Sequence, residues 1–576
     1  MNNPIFKCLT DGQTQLADGL LHDRVSKNEH ILFSRIDPDG LAHVYTEEHD
    51  RGYAEPEFCG KYIDTAVSLW RSTGRSEYLA RAKKIVDSIK ANQRSDGYLG
   101  TYRKGMEFAA FGIWNAQFTI RGLLAYSLAT DDQEALACAC RGADFIVTEF
   151  TKEGGPDLLT SGNQNIQHSC LLPDMVRLYR ATGNASYRSF CQYIIDRWES
   201  SEGLRLVSRS ADCLGLACTK AAEMLICYQG LVEFYLATDE ARYLKAAEAY
   251  WESVYVSQIG PSGNGSVKEY WQPHPGDLLL DHEQNPNENC VAVCWMKLTM
   301  LLLECTGNAR YADAFEQTLY NHLLGSQAAD GSDFSYYQPL EGAKIHVTHP
   351  KQYSCCRYRG MNMLAQLNRY VFLEATDGPV VNIYTMCTST LNVHGQQVTL
   401  SQSTNYPLDG RVMLTVHPTM DVRFTLYLRK PNHCSAFKIA VDGRSVAPAD
   451  DVKGFVKIDQ LWSQRPHTVE IFMELKPHSK RELVKTRDCL AIFHGPVLLA
   501  IDSHSQDRID ACTINFENSA IQLADVRKPD SLRIITCSAT GSVDNRYAQI
   551  TLVDYASAGS RDTGRDRFKV WIPVSQ

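Results

Sequence analysis

The chain has 576 residues, of which 44% are hydrophobic, and a formal net charge of -9. That length buries a large core and predicts two to four structural units, while mixed charge without a clustered basic face excludes a nucleic-acid partner held by its phosphates. Nineteen cysteines, an odd number scattered along the chain, read as reduced and mostly buried thiols, so any cysteine cluster is a metal or catalytic candidate.

In chain order, the opening MNNPIFKCLTDGQTQLADG lacks the charged start and apolar stretch of a secretory signal. No later run reaches the ~18 apolar residues that cross a bilayer, so the expectation is a cytoplasmic protein with no membrane partner; a trimmed export signal would look the same. A helix, a short Gly/Asp/Asn turn and a second helix then recur, in WRSTGRSEYLARAKKIVDSI, YSLATDDQEALACACRGADFI, LYRATGNASYRSFCQYIIDRW, FYLATDEARYLKAAEAYWESV and LLECTGNARYADAFEQTLYNHLL. Each second helix carries apolar residues at i, i+3, i+4 and i+7. The copies align on Thr73, Thr130, Thr182, Thr238 and Thr306, and a weaker sixth copy, YVFLEATDG, ends at Gly378. Six such hairpins close into an (α/α)6 barrel with a cavity at one mouth; an open superhelix is the alternative.

After Gly378 the period becomes two. VRFTLYLRK puts Val422, Phe424, Leu426 and Leu428 on one face, FKIAVDGRSV carries an Asp-Gly hairpin turn, and HTVEIFMEL alternates again. A further β unit begins near Arg487 and runs through AIFHGPVLLAI and YAQITLVDY to FKVWIPV. The expected architecture is α+β multidomain: an (α/α)6-barrel catalytic domain over 12–378, an antiparallel β-sandwich over 379–480 and a second C-terminal β domain over 481–576.

Glu288-Asn289-Cys290 and the adjacent pair Cys355-Cys356 supply three sulfurs and one carboxylate, the number and softness of donors that suit Zn2+. A vicinal disulfide or plain buried thiols are the other readings of the pair. Glu269, beside Tyr270 and Trp271 in GNGSVKEYWQPHPGD, suits general acid work if the aromatics desolvate it, and is otherwise a loop glutamate. His274 and His282 nearby read as solvated. Tyr98, Tyr102, Trp114, Gln117, Tyr336 and Tyr337 would line the mouth of a closed barrel, where aromatic faces suit sugar rings; packing residues are the plainer reading.

Taken together, DGYLGTY, WNAQFTIRGLLAY, LYRATGN, KEYW, ENCVAVCWMKL, GNARYADAFEQTLYNHLLG, SYYQPLEG and SCCRYRGMNML resemble glycoside hydrolase family 127, the β-L-arabinofuranosidase-like enzymes, over roughly residues 50–375. HGPVLLAI and VWIPV extend the resemblance more loosely. It implies Zn2+ held by Glu288, Cys290, Cys355 and Cys356, with Cys355 as nucleophile and Glu269 as acid/base of a retaining, exo-acting hydrolase of plant-type glycans. It also matches Glu316 and Tyr336 to residues near the sugar, and makes a carbohydrate the partner. The chain departs from the family where histidines usually face the sugar: Gln117, His168 and Lys220 are the nearest polar residues. Lys268 also stands where glycine usually precedes the acid/base. A lysine at the cavity would favour an acidic sugar; a solvated Lys220 is the simpler reading. A lyase or unsaturated-uronide hydrolase of the same architecture, and a non-catalytic sugar-binding protein with a structural zinc, are the competing functions. A homodimer through the C-terminal β faces is a further expectation.

Overall fold

The computed structural model describes residues 4–49, 55–160, 165–345, 353–446, 449–516, 521–528, 534–560 and 566–575. The recurrent threonines are the last residues of five helices: Glu55–Thr73, Gly112–Thr130, Leu172–Thr182, Ala221–Thr238 and Asn289–Thr306. Each threonine hydroxyl donates to the carbonyl four residues earlier, at 2.7–2.8 Å. The next residue, Gly74, Asp131, Gly183, Asp239 or Gly307, takes a left-handed conformation that ends the helix. Asp132, Asn184 and Asn308 then cap the following helices by accepting from backbone N–H groups. The repeated Thr-Gly/Asp signal is thus the hinge of a helical hairpin.

These five helices and Cys355–Ala365 form an inner ring, each packed on the next and the last on the first. The ring is closed, as an (α/α)6 barrel. Closure brings two inner helices to backbone distance: a Cβ at Gly60 would lie 1.9 Å from the Phe118 carbonyl oxygen, and one at Gly122 would lie 2.8 Å from Gly60 Cα. The inner helices are buried on nearly every face. One of them, Asn289–Thr306, is long and apolar enough by composition to cross a bilayer, contrary to the sequence reading, but 78% of it lies buried inside the barrel.

The sixth hairpin differs from the expected one. YVFLEATDG contributes no helix pair; Leu367–Tyr370 is a 3-10 turn and Phe372–Ala375 a β-strand. The sixth inner helix, Cys355–Ala365, packs instead on Leu20–Ser34 from the start of the chain, and Asn28 Nδ2 donates to the Met361 carbonyl at 2.9 Å. No local repeat could reveal this pairing, because its halves are over 300 residues apart.

Phe372–Ala375 leads into a six-stranded sheet ordered Lys7–Cys8, Phe372–Ala375, Gly378–Val381, Val422–Arg429, Phe455–Trp462, Ala449–Val452. A seven-stranded sheet, from Arg444–Val446 at one edge to Thr14–Leu16 at the other, completes the β-sandwich. Cys387–Val393 alternates buried and exposed as a one-sided strand must. Val422–Arg429 does not: Val422, Phe424, Leu426 and Leu428 are buried as expected, yet Thr425, Tyr427 and Arg429 are buried too. The reason lies at the barrel, where the fully buried Arg429 bonds Asp313 and Glu316. A third sheet, built on Pro477–Val484, Arg487–His494, Val497–Asp502, Arg546–Asp554, Thr536–Val543 and Cys512–Ile514, docks through Asn321, which accepts from Leu498 N–H and donates to Pro496 O.

Candidate active site

The inner helices point their N-termini toward one mouth. Glu57 and Trp114 lie in first turns, Lys220 and Glu288 stand at N-cap positions, Glu223 and Cys290 follow them, and Cys355 opens the sixth helix. Helix N-termini carry partial positive charge, so this end of the barrel favours thiolates and carboxylates.

Glu288, Cys290, Cys355 and Cys356 converge here, with one donor atom from each all within 4.8 Å of one another. Cys356 Sγ is 3.4 Å from Cys290 Sγ and 3.8 Å from Glu288 Oε1. A tetrahedral ion with bonds of ~2.3 Å to sulfur and ~2.0 Å to oxygen needs donor separations of roughly 3.5–3.8 Å. The donor set therefore fits a metal ion, and all nineteen thiols are free, which removes the vicinal disulfide. Burial pushes Glu288, Cys290 and Cys356 well above their ordinary pKa values, while hydrogen bonds from Cys290 and Cys356 hold the Cys355 thiol well below its own. Four acidic groups crowded this way repel one another until a cation neutralises them.

Hydrogen bonds between loops fix the cluster. Asn289 N–H donates to Tyr336 O at 2.9 Å, and Asn289 Nδ2 to Cys356 O at 3.0 Å, tying the two ligand-bearing helices together. Gly360 leaves room for this: a Cβ there would lie 2.9 Å from Asn289 Nδ2 and 2.5 Å from the Phe334 ring.

Glu269 faces the cluster from a loop held by Ala221 N–H to Glu269 O and Lys268 N–H to Asn285 O. Lys268 and Glu269 both have left-handed backbones, at φ 49° and 71°. Glycine would adopt that conformation freely, whereas each L-residue costs on the order of 1 kcal/mol. The strain aims the Glu269 carboxylate at three donors: Tyr337 Oη at 2.9 Å, Tyr336 Oη at 3.2 Å, and Lys220 Nζ in direct contact. Tyr336 Oη is also 3.2 Å from Cys355 Sγ.

Lys220 is therefore buried and ion-paired rather than solvated. Burial opposes its charge, but Glu223, Glu269 and Glu288 raise its pKa. Trp114 is at the mouth, its indole N–H on Glu57, whose carboxylate also meets Lys61 at 3.1 Å. Gln117 lies one turn deeper and is fully buried. Three expected site residues are elsewhere. Glu316 is locked to Arg429 at the sandwich junction; His168 is wedged between Phe108 and Phe150, with burial lowering its pKa to about 4; Tyr98 packs on Phe145. Sequence reading missed Glu57, Lys61, Glu223 and Arg359, all of them charged residues buried on inner helices.

The sequence profile of the β-L-arabinofuranosidase GH127 catalytic domain matches residues 18–369, and that of the GH127 middle domain matches 379–475. A non-reducing end β-L-arabinofuranosidase of Bifidobacterium longum subsp. longum is 22% identical over 512 residues, covering 76% of this chain and 74% of that protein. Among solved structures, a GH127 β-L-arabinofuranosidase from Geobacillus stearothermophilus T6 superposes with TM-score 0.80 at 20% identity, over 98% of this chain and 100% of its own. A second structure, described as a GH127 β-arabinofuranosidase, gives TM-score 0.84 at 20% identity, over 100% and 99%. With its catalytic-domain profile matched over more than half its length, the chain belongs to glycoside hydrolase family 127 and is a glycoside hydrolase.

Proposed function

We propose that this enzyme is an exo-acting, retaining hydrolase that removes a terminal β-L-arabinofuranoside, or a closely related neutral sugar, from plant-type glycans. Cys355 is its nucleophile and Glu269 its acid/base. The observation that carries this reading is Tyr336 Oη, 3.2 Å from both Cys355 Sγ and Glu269 Oε1. Sulfur and carboxylate oxygen are thereby at most about 6.4 Å apart, a span that includes the ~5–5.5 Å that retaining glycosidases keep between their two reacting groups.

Glu288, Cys290, Cys355 and Cys356 would hold Zn2+, whose charge keeps the thiols ionised at neutral pH. In the first step Cys355 Sγ attacks the anomeric carbon as Glu269 gives its proton to the leaving oxygen. The C–O bond breaks and a C–S bond forms. In the second step Glu269 takes a proton from water, the water oxygen attacks the same carbon, and the C–S pair returns to Cys355. Two inversions leave the configuration retained. The engagement of Lys220 by Glu269 supports a neutral sugar over an acidic one, because the ammonium is already satisfied.

Incubating Glu269→Gln with p-nitrophenyl β-L-arabinofuranoside and measuring intact and peptide masses tests this. The expected result is one sugar trapped on Cys355, with one Zn2+ per chain by elemental analysis. A sugar on any other residue, or a product of inverted configuration, overturns it.

A further inference from the structure

Tyr336 and Tyr337, which hold the Glu269 carboxylate, are themselves held from behind by the C-terminal β unit. Tyr337 Oη donates to Glu269 Oε1 at 2.9 Å, and Tyr336 Oη is 3.2 Å from both Glu269 Oε1 and Cys355 Sγ. A phenol places a carboxylate only as well as its own backbone is placed. The next residue, Gln338, is fully buried, and each of its polar atoms has a partner on another segment. Its N–H donates to Pro286 O at 2.9 Å, its carbonyl accepts from Asn287 Nδ2 at 2.8 Å, its Nε2 donates to His322 O at 3.0 Å, and its Oε1 lies 3.4 Å from Tyr555 Oη.

Tyr555 follows the strand Arg546–Asp554 of the third sheet and is fully buried. Its hydroxyl donates to Pro339 O at 3.0 Å and its N–H to Leu498 O at 2.7 Å. Its carbonyl accepts from Lys344 Nζ, which also lies 4.2 Å from the centre of its ring. Between these contacts Glu341–Gly342 pairs antiparallel with Phe568–Lys569, so the C-terminal unit grips residues 338–344 at both ends and in the middle. Val267, two residues before Glu269, belongs to an apolar cluster that Leu340 shares with Leu498, Phe568 and Trp571. Both the loop of the acid/base and the loop of its tyrosines therefore rest on the same β unit. Buried from water, such bonds fix position firmly, and misplacing a reacting group by ~1 Å costs on the order of a hundredfold in rate.

We propose that Tyr555 is a positioning residue of the hydrolase: acting through Gln338 and Pro339, it sets where Tyr336 and Tyr337 hold the Glu269 carboxylate. The C-terminal β unit is thereby a working part of the active site and stands behind it. This rests on the assignment of Glu269 as acid/base.

Tyr555→Phe removes one oxygen and keeps the ring beside Lys344. Wild type, Tyr555→Phe, Gln338→Leu, the double variant and Glu269→Gln are compared on methyl and p-nitrophenyl β-L-arabinofuranosides, with metal content and thermal midpoint measured alongside. A methoxide leaving group needs the Glu269 proton, whereas p-nitrophenolate departs with little help, so a misplaced acid shows as a bias between the two. Tyr555→Phe is expected to lose about tenfold in kcat/KM on the methyl glycoside and no more than about threefold on the p-nitrophenyl one, at full metal content. Gln338→Leu should show the same bias, and adding Tyr555→Phe to it should change kcat/KM by less than about twofold, because the two act through one path. Equal losses on the two substrates, or no loss, in Tyr555→Phe overturn the positioning role, and this single-oxygen change decides even where Gln338→Leu does not fold. Wild type that releases no sugar, or Glu269→Gln without a leaving-group bias, instead sinks the acid/base assignment and the role of Tyr555 with it.

Discussion

Replacing Arg429 by methionine separates structure from chemistry at its partner Glu316, the residue the family resemblance placed near the sugar. Arg429 is fully buried and joins Asp313 at 2.8 Å and Glu316 at 2.5 Å, across the contact between barrel and sandwich. Removing one partner of a buried ion pair costs about 3–5 kcal/mol, because a desolvated charge is left behind. Here two carboxylates are left. Burial already raises Asp313 to about 7 even with Arg429 lowering it, so without the arginine it binds a proton at neutral pH and limits the loss. An acid whose folded pKa exceeds its unfolded one binds more protons when folded, so its contribution to stability falls as pH rises from about 4 to 7. The deficit of Arg429→Met is therefore expected to be larger at pH 8 than at pH 5. Urea unfolding followed by tryptophan fluorescence measures it, with Arg429→Met/Asp313→Asn/Glu316→Gln expected to recover most of the loss. Glu316→Gln alone should lower the urea midpoint and leave KM within about twofold. If it keeps full stability but raises KM more than tenfold, Glu316 reaches the sugar and the junction reading is wrong.

Acid lability should follow from buried histidines. Burial lowers His168 to about 4, and His322 and His433 to about 3, with Lys344 adding to it at His322 and Arg429, His478 and His494 at His433. Their stabilisation is complete above the unfolded value of about 6.5 and is lost as pH falls toward the folded values, so the unfolding free energy measured in urea should drop by several kcal/mol between pH 7 and about 4.5; a flat profile contradicts this. Glu288→Gln should bind metal at least tenfold more weakly, read by competition with a chelator, because a neutral amide is a poorer ligand than a carboxylate. Gly60→Ala should cost about 1–3 kcal/mol or more, since its methyl meets the Phe118 carbonyl at 1.9 Å; unchanged thermal unfolding would mean the two helices separate freely.

Local chemistry made much of this protein legible in its sequence. The Thr-Gly/Asp hinges announced five hairpins because a threonine back-bond and a left-handed residue act within one helical turn. Glu288, Cys290, Cys355 and Cys356 were visible as a donor set because their chemistry is rare and their spacing compact within each pair. Only the tertiary structure decided what depends on distant chain segments meeting. It drew Leu20–Ser34 onto Cys355–Ala365 to close the ring, turned Glu316 toward Arg429 and away from the mouth, and seated Lys220 on Glu269. A side chain's partner is fixed by which neighbours exclude water around it, and for a ring of helices those neighbours come from hairpins tens to hundreds of residues away.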